Sequence, residues 1–227
     1  MKFSETVRLA RQITETSGVI VSRNQWLNDA GDYKAPDFNP KENPLPPEQT
    51  ELVSFKRVLD SVVQKIQRRV EVYAEPTGID QQYLNHIHGY ILNEAIPKVV
   101  ITPCNTCWFR FAAVKELMHL YAYIAEDDQV RKASLITSLA KQSRTIVPTP
   151  VKDLDDETAA IYMAIEVLIP WEMRKQGGQI DQMRKMFGEN NYYPIAKALM
   201  IPENVVQHFF DGEKNLSALS FTTNLSV

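Results

Sequence analysis

One stretch, Arg110 to Ala125, RFAAVKELMHLYAYIA, constrains the fold more than any other part of the chain. Its apolar residues Val114, Leu117, Met118 and Tyr121 recur at i, i+3, i+4 and i+7, the spacing of one face of an α-helix. Lys115, Glu116 and His119 lie inside the same run. An apolar helix that carries three such side chains has to find partners for them, and the chain is read around that requirement.

Lys115-Glu116-Leu117-Met118-His119 differs from H-E-x-x-H at its first residue. In that helical motif two histidines one turn apart hold a zinc ion, and the glutamate between them is the general base. About forty residues later Glu157-Thr158-Ala159-Ala160 leads into Ile161 to Val167, and Leu168-Ile169-Pro170 closes the run. This spacing predicts a second apolar helix with a carboxylate at its start and a stop at Pro170. Glu166, farther along it, reads as a surface charge.

The two helices together resemble the ImmA/IrrE family of metallo-endopeptidases. The arginine and aromatic that precede the family motif stand here as Arg110 and Phe111, and the closing L-L-x-P stands as Leu168-Ile169-Pro170. The resemblance spans roughly residues 55 to 210 in order of elements, with residue-level matches in the two helices. It implies an α+β, mainly α-helical fold, zincin-like, with a small sheet beside a central motif helix and an edge strand that positions an extended substrate. It implies Glu116 as catalytic base and His119 with Glu157 as metal ligands. It also implies a regulatory protein or peptide segment as partner, in stress or mobile-element control. The chain departs from the family at Lys115, which replaces a ligand, and at Met118, where a small residue is usual. Counting back from Pro170 places the family carboxylate at Ala159, with Glu157 the nearest substitute.

A protonated lysine has no lone pair for a metal and brings a positive charge against it. The Lys115 ammonium can instead occupy the space of the ion and pair with Glu116 or Glu157, so that buried carboxylates stay compensated. The preferred expectation is therefore a pseudoenzyme with an internal ion pair and no zinc at the motif. Zinc there is the alternative. A competing structural zinc site comes from His86 and His88 (H-x-H) with Cys104 and Cys107 (C-x-x-C), a set that suits tetrahedral coordination.

Taken in order, residues 4–16 read as a helix with Val7, Ala10 and Ile13 as its stripe, and Val19 to Val21 as a short strand or buried extension. Five prolines between Asn28 and Gln49 mark a loop or linker. Residues 1–47 are thus an N-terminal helical arm with its linker, residues 48–214 the main domain, and residues 215–227 a flexible tail. Leu52, Phe55, Leu59, Val62, Ile66 and Val70 predict one long helix from Glu48 to Ala74. Tyr90 to Leu92 and Val99 to Ile101 read as strands. Further helices are expected at 127–143, 180–187, 195–199 and 203–210, with a connector at Val147 to Val151.

Ile195 to His208 has the cadence of a helix-turn-helix, and family members often end in a similar pair. Asn204, Gln207 and His208 are its candidate DNA-reading residues. Glu203 at the start of the second helix disfavours reading, so packing is the preferred role and a DNA-binding regulator the alternative function. The net charge of −3 gives no general basic field for nucleic acid. No apolar run approaches membrane-spanning length and no signal-peptide core is seen, so a cytoplasmic location without membrane partners is expected.

Overall fold

The computed structural model describes residues 3–16, 18–29, 48–74, 89–92, 94–101, 106–122 and 156–218. These form a mixed α+β, mostly helical molecule with two small sheets. Helix α1 (Phe3–Thr16) leads to β1 (Ile20–Ser22) and α2 (Arg23–Asp29). Strand β2 (Glu51–Val53) pairs antiparallel with β1, Val21 opposite Leu52. Helix α3 (Phe55–Ile66) and β3 (Glu71–Ala74) follow, then β4 (Gly89–Leu92) and β5 (Lys98–Ile101). The second sheet has the order β3-β5-β4, with β3 parallel and β4 antiparallel to the central β5.

The long helix expected from Glu48 to Ala74 is three elements. Ser54 is extended and caps α3, its hydroxyl accepting from the Arg57 amide. Gln67, at φ 54°, ends the helix in the left-handed conformation, and the chain then pairs with β5. The predicted stripe does turn inward: Leu52, Phe55, Leu59, Val62 and Val70 are buried. Spacing alone could not show that Leu52 is buried from strand β2 and Val70 from the segment that leads into β3, because residues outside a helix can fill the same wall.

Helix α4 (Thr106–Ala122) occupies the centre. Every residue from Phe109 to Met118 is buried, so the helix is enclosed on all sides rather than along one face. Helix α5 (Asp156–Leu168) packs along it, with Ala159, Ala160, Met163 and Ala164 fully buried. Helix α1 lies against α5, and Leu9, Ala10 and Ile13 belong to the same hydrophobic cluster as Val114, Leu117 and Met163. The segment read as an arm thus contributes to the central core.

After the stop at Pro170 come α6 (Trp171–Arg174), α7 (Gln179–Phe187), α8 (Tyr193–Leu199) and α9 (Glu203–Ala218). Gly178 permits the α6–α7 connection, since a Cβ there would lie 2.4 Å from the Met173 carbonyl oxygen. Helix α9 continues through Asn215, where the tail was expected to begin, to Ala218. The expected helix 127–143, the connector 147–151 and most of the proline-rich segment lie outside the described residues. Among the described residues no helix is long and apolar enough to cross a membrane.

Candidate functional site

Lys115 and His119 are one turn apart on α4 and therefore share a face. Glu157 lies in the first turn of α5, where the helix dipole favours a carboxylate. The packing of α4 against α5 brings the three together. The Lys115 Nζ donates to Glu157 Oε1 at 2.6 Å, and His119 Nε2 lies 3.0 Å from Glu157 Oε2. Both carboxylate oxygens of Glu157 are thus engaged. Lys115 Nζ also stands 2.8 Å from Glu116 Oε1, an ion contact whose geometry is not that of a directed hydrogen bond. Lys115, Glu116 and Glu157 are at most 9% exposed, while the His119 side chain is 20% exposed and forms the more open edge of the cluster.

The electrostatics follow from this geometry. Burial on its own would lower the pKa of Lys115, but the charges of Glu116 and Glu157 outweigh it and hold the ammonium above its ordinary range. Burial would raise Glu157, yet the His119 hydrogen bond and the Lys115 charge bring it down to about 2. Lys115 is a cation and Glu157 an anion throughout the physiological range.

These residues do not fit a zinc ion. A catalytic zinc commonly takes three protein ligands and an open position. Here His119 and Glu157 offer two, and Glu157 is already bound to an ammonium that occupies the centre of the cluster. Among the described residues no group of three or more His, Cys, Asp or Glu side chains is placed to hold a metal. Of the competing set, His86, His88 and Cys104 lie outside the described residues. Cys107 is a free, half-buried thiol on α4, its pKa raised by burial. Ala159, the position obtained by counting back from Pro170, is fully buried within α5, and Glu157 is the residue that meets His119.

Gly89 opens β4 directly against the cluster. A Cβ there would lie 2.8 Å from Ile101 Cδ1 and 3.0 Å from Glu116 Cγ. The edge strand therefore starts beside the Glu116 side chain, a proximity with no local sequence signal beyond the glycine itself.

Compared with family models, with curated proteins and with solved structures, the chain matches none.

Two further charged groups tie the central helices to the C-terminal ones. Arg110, 5% exposed, donates to the carbonyls of Val53 at 2.7 Å, Met200 at 3.2 Å and Leu199, and its guanidinium lies 5.4 Å from the Trp26 ring. It makes no ion pair among the described residues, and burial lowers its pKa to about 10. Glu166, read from the sequence as a surface charge, is 5% exposed. It accepts from Arg11 Nε at 3.2 Å and from Arg174, whose guanidinium lies 5.0 Å from the Phe209 ring. Its partners are 155 and 8 residues away, which is why no local pattern marked it as buried.

Proposed function

We propose that this chain is a zincin-like, ImmA/IrrE-type protein in which an internal ion cluster replaces the metal, and that it holds a regulatory protein segment without cutting it. The observation that carries the reading is the position of the Lys115 ammonium, within 2.8 Å of both Glu116 and Glu157 and beside His119. It satisfies the carboxylates that a metal would otherwise compensate, and it removes any vacant coordination position for water. The fold around the cluster supports the same reading: a motif helix, a partner helix that begins with a carboxylate, and a small sheet whose antiparallel strand β4 starts at the cluster.

The binding mode that suits this arrangement is strand addition. An extended segment would pair with the outer edge of β4, with main-chain hydrogen bonds giving affinity and alternate side chains giving selectivity. Leu92, 40% exposed on that strand, offers an apolar contact. The partner class is a cytoplasmic regulator of stress or mobile-element genes.

Metal analysis of protein purified without chelators tests the reading, together with Lys115→His. The wild type is expected to carry no stoichiometric zinc, and Lys115→His to gain one ion per chain bound through His119 and Glu157. Stoichiometric zinc in the wild type, lost on His119→Ala or Glu157→Ala, would defeat it.

A further inference from the structure

Arg110 leaves one of its donors unused. Nη1 serves the Leu199 and Met200 carbonyls and Nη2 the Val53 carbonyl, while Nε is buried and has no partner among the described residues. Buried polar groups as a rule find a protein atom, a water or an ion. The charge is unmatched as well. Three carbonyl dipoles surround the guanidinium, and among the described residues no carboxylate pairs with it.

Arg110 lines a cavity of about 20 Å³ whose other walls come from α2, the start of α3 and α4. The rings of Trp26, Phe55 and Phe109, all buried, form its apolar sides, and Ser54, Asp29 and Lys56 its polar ones. That volume admits one particle of about the size of a water molecule and is too small for a carboxylate or phosphate group. The cavity also stands at the first turn of the twelve-residue helix α3, where the dipole end is positive. Two of the three charges along its wall are already matched. Asp29 Oδ2 accepts from the Ser54 hydroxyl at 2.7 Å and from Arg57 Nε at 3.2 Å, and its Oδ1 accepts from Gln25 at 2.9 Å. Lys56 is paired with Asp60 at 3.1 Å. The charge left over is that of Arg110.

We propose that this cavity is a binding site for one monovalent halide ion, chloride in the native protein, which accepts from Arg110 Nε at the start of α3. A halide is a single atom and an acceptor only, so it suits a one-particle cavity whose unused group is an N–H. A water molecule would satisfy that donor but would leave the buried positive charge without a counterion. The aromatic walls exclude further water, which strengthens the attraction between ion and guanidinium. The same guanidinium holds β2 through Val53 and the turn between α8 and α9 through Leu199 and Met200. Occupancy by the ion therefore stabilises the junction of the central helix with the C-terminal ones. The proposal is independent of the reading of the ion cluster.

The test is thermal melting of the full chain in sodium chloride and in sodium gluconate at equal ionic strength, with crystals soaked in sodium bromide as the direct measurement. Chloride is expected to raise the melting temperature saturably, by about 3–6 °C at ten times its Kd, while gluconate, too large for the cavity, does not. Arg110→Met should melt lower in both salts and show no difference between them. The bromide crystals should give an anomalous peak in the cavity at hydrogen-bond distance from Arg110 Nε. Equal melting of the wild type in the two salts, or a chloride effect that persists in Arg110→Met, would overturn the proposal. So would bromide on the surface only, with water in the cavity, and this measurement decides the matter if Arg110→Met does not fold.

Discussion

Replacing Lys115 with methionine keeps most of the volume of the side chain and deletes its charge. In the native cluster one ammonium serves two buried carboxylates, each within 2.8 Å of it. Without it those carboxylates face each other on the order of 5 Å apart, where like charges repel by roughly 3 kcal/mol at an effective dielectric of about 20. The desolvation of both groups is then uncompensated, and removal of one partner from a buried pair costs about 3–5 kcal/mol. For a chain of this size that lowers the melting temperature by on the order of 10 °C.

The pH dependence gives a sharper criterion. Folding depresses Glu157 from 4.5 to about 2, a difference of roughly 3 kcal/mol. That contribution is complete above about pH 4.5 and is lost as the pH falls toward 2. In Lys115→Met the depression is gone, and protonation of a carboxylate relieves the repulsion instead. Urea denaturation should show a gap of about 3–5 kcal/mol between wild type and variant at pH 7 that narrows between pH 4.5 and 2. A variant as stable as the wild type at neutral pH, or a gap that widens on acidification, would refute the compensation argument.

Gly89→Ala forces a Cβ to within 3.0 Å of both Ile101 and Glu116, and it should cost about 1–3 kcal/mol in thermal or chemical unfolding. Ser54→Ala removes the cap of α3 and the hydroxyl donor 2.7 Å from Asp29 Oδ2, so a loss of about 1 kcal/mol is expected. The same change should raise the Asp29 pKa, which NMR titration of the carboxylate would detect, because the Ser54 hydrogen bond helps hold it below 3.8.

What the sequence disclosed depended on whether the relevant partners were local. The motif helix, its partner stopping at Pro170, strands β4 and β5 and the last three helices all carry short-range signals, whereas α6 was not anticipated. The Lys115 pairing was legible because two carboxylates and a histidine fell on two recognisable apolar helices. The long helix failed because Leu52, paired with β1, and Val70, just before β3, happen to continue a three-and-four spacing outside α3. Helix α2 gave little warning, since of its seven residues Trp26 alone is buried. The burial of Glu166 and the carbonyl contacts of Arg110 were not anticipated, for one reason. Each is a charged residue in an apolar helix, and what compensates it comes chiefly from distant segments.

Those two residues also determine how the ion cluster and the C-terminal helices are joined. Arg110 lies five positions before Lys115 on α4 and grips the turn between α8 and α9. Glu166, nine positions after Glu157 on α5, holds Arg174 over Phe209 of α9. Both helices that build the cluster therefore also hold the C-terminal unit, through buried polar contacts that cannot slide without leaving groups unsatisfied. Arg110→Met tests the first tie. Three buried carbonyls lose their donor, at roughly 1–3 kcal/mol each where no water replaces it. The stability loss should be accompanied by faster hydrogen exchange at Ile201 and Val205, whose amides hold the turn, with smaller effects in α1. If exchange rises equally in α1 and in the turn, Arg110 acts on global stability alone, and the turn does not depend on the motif helix.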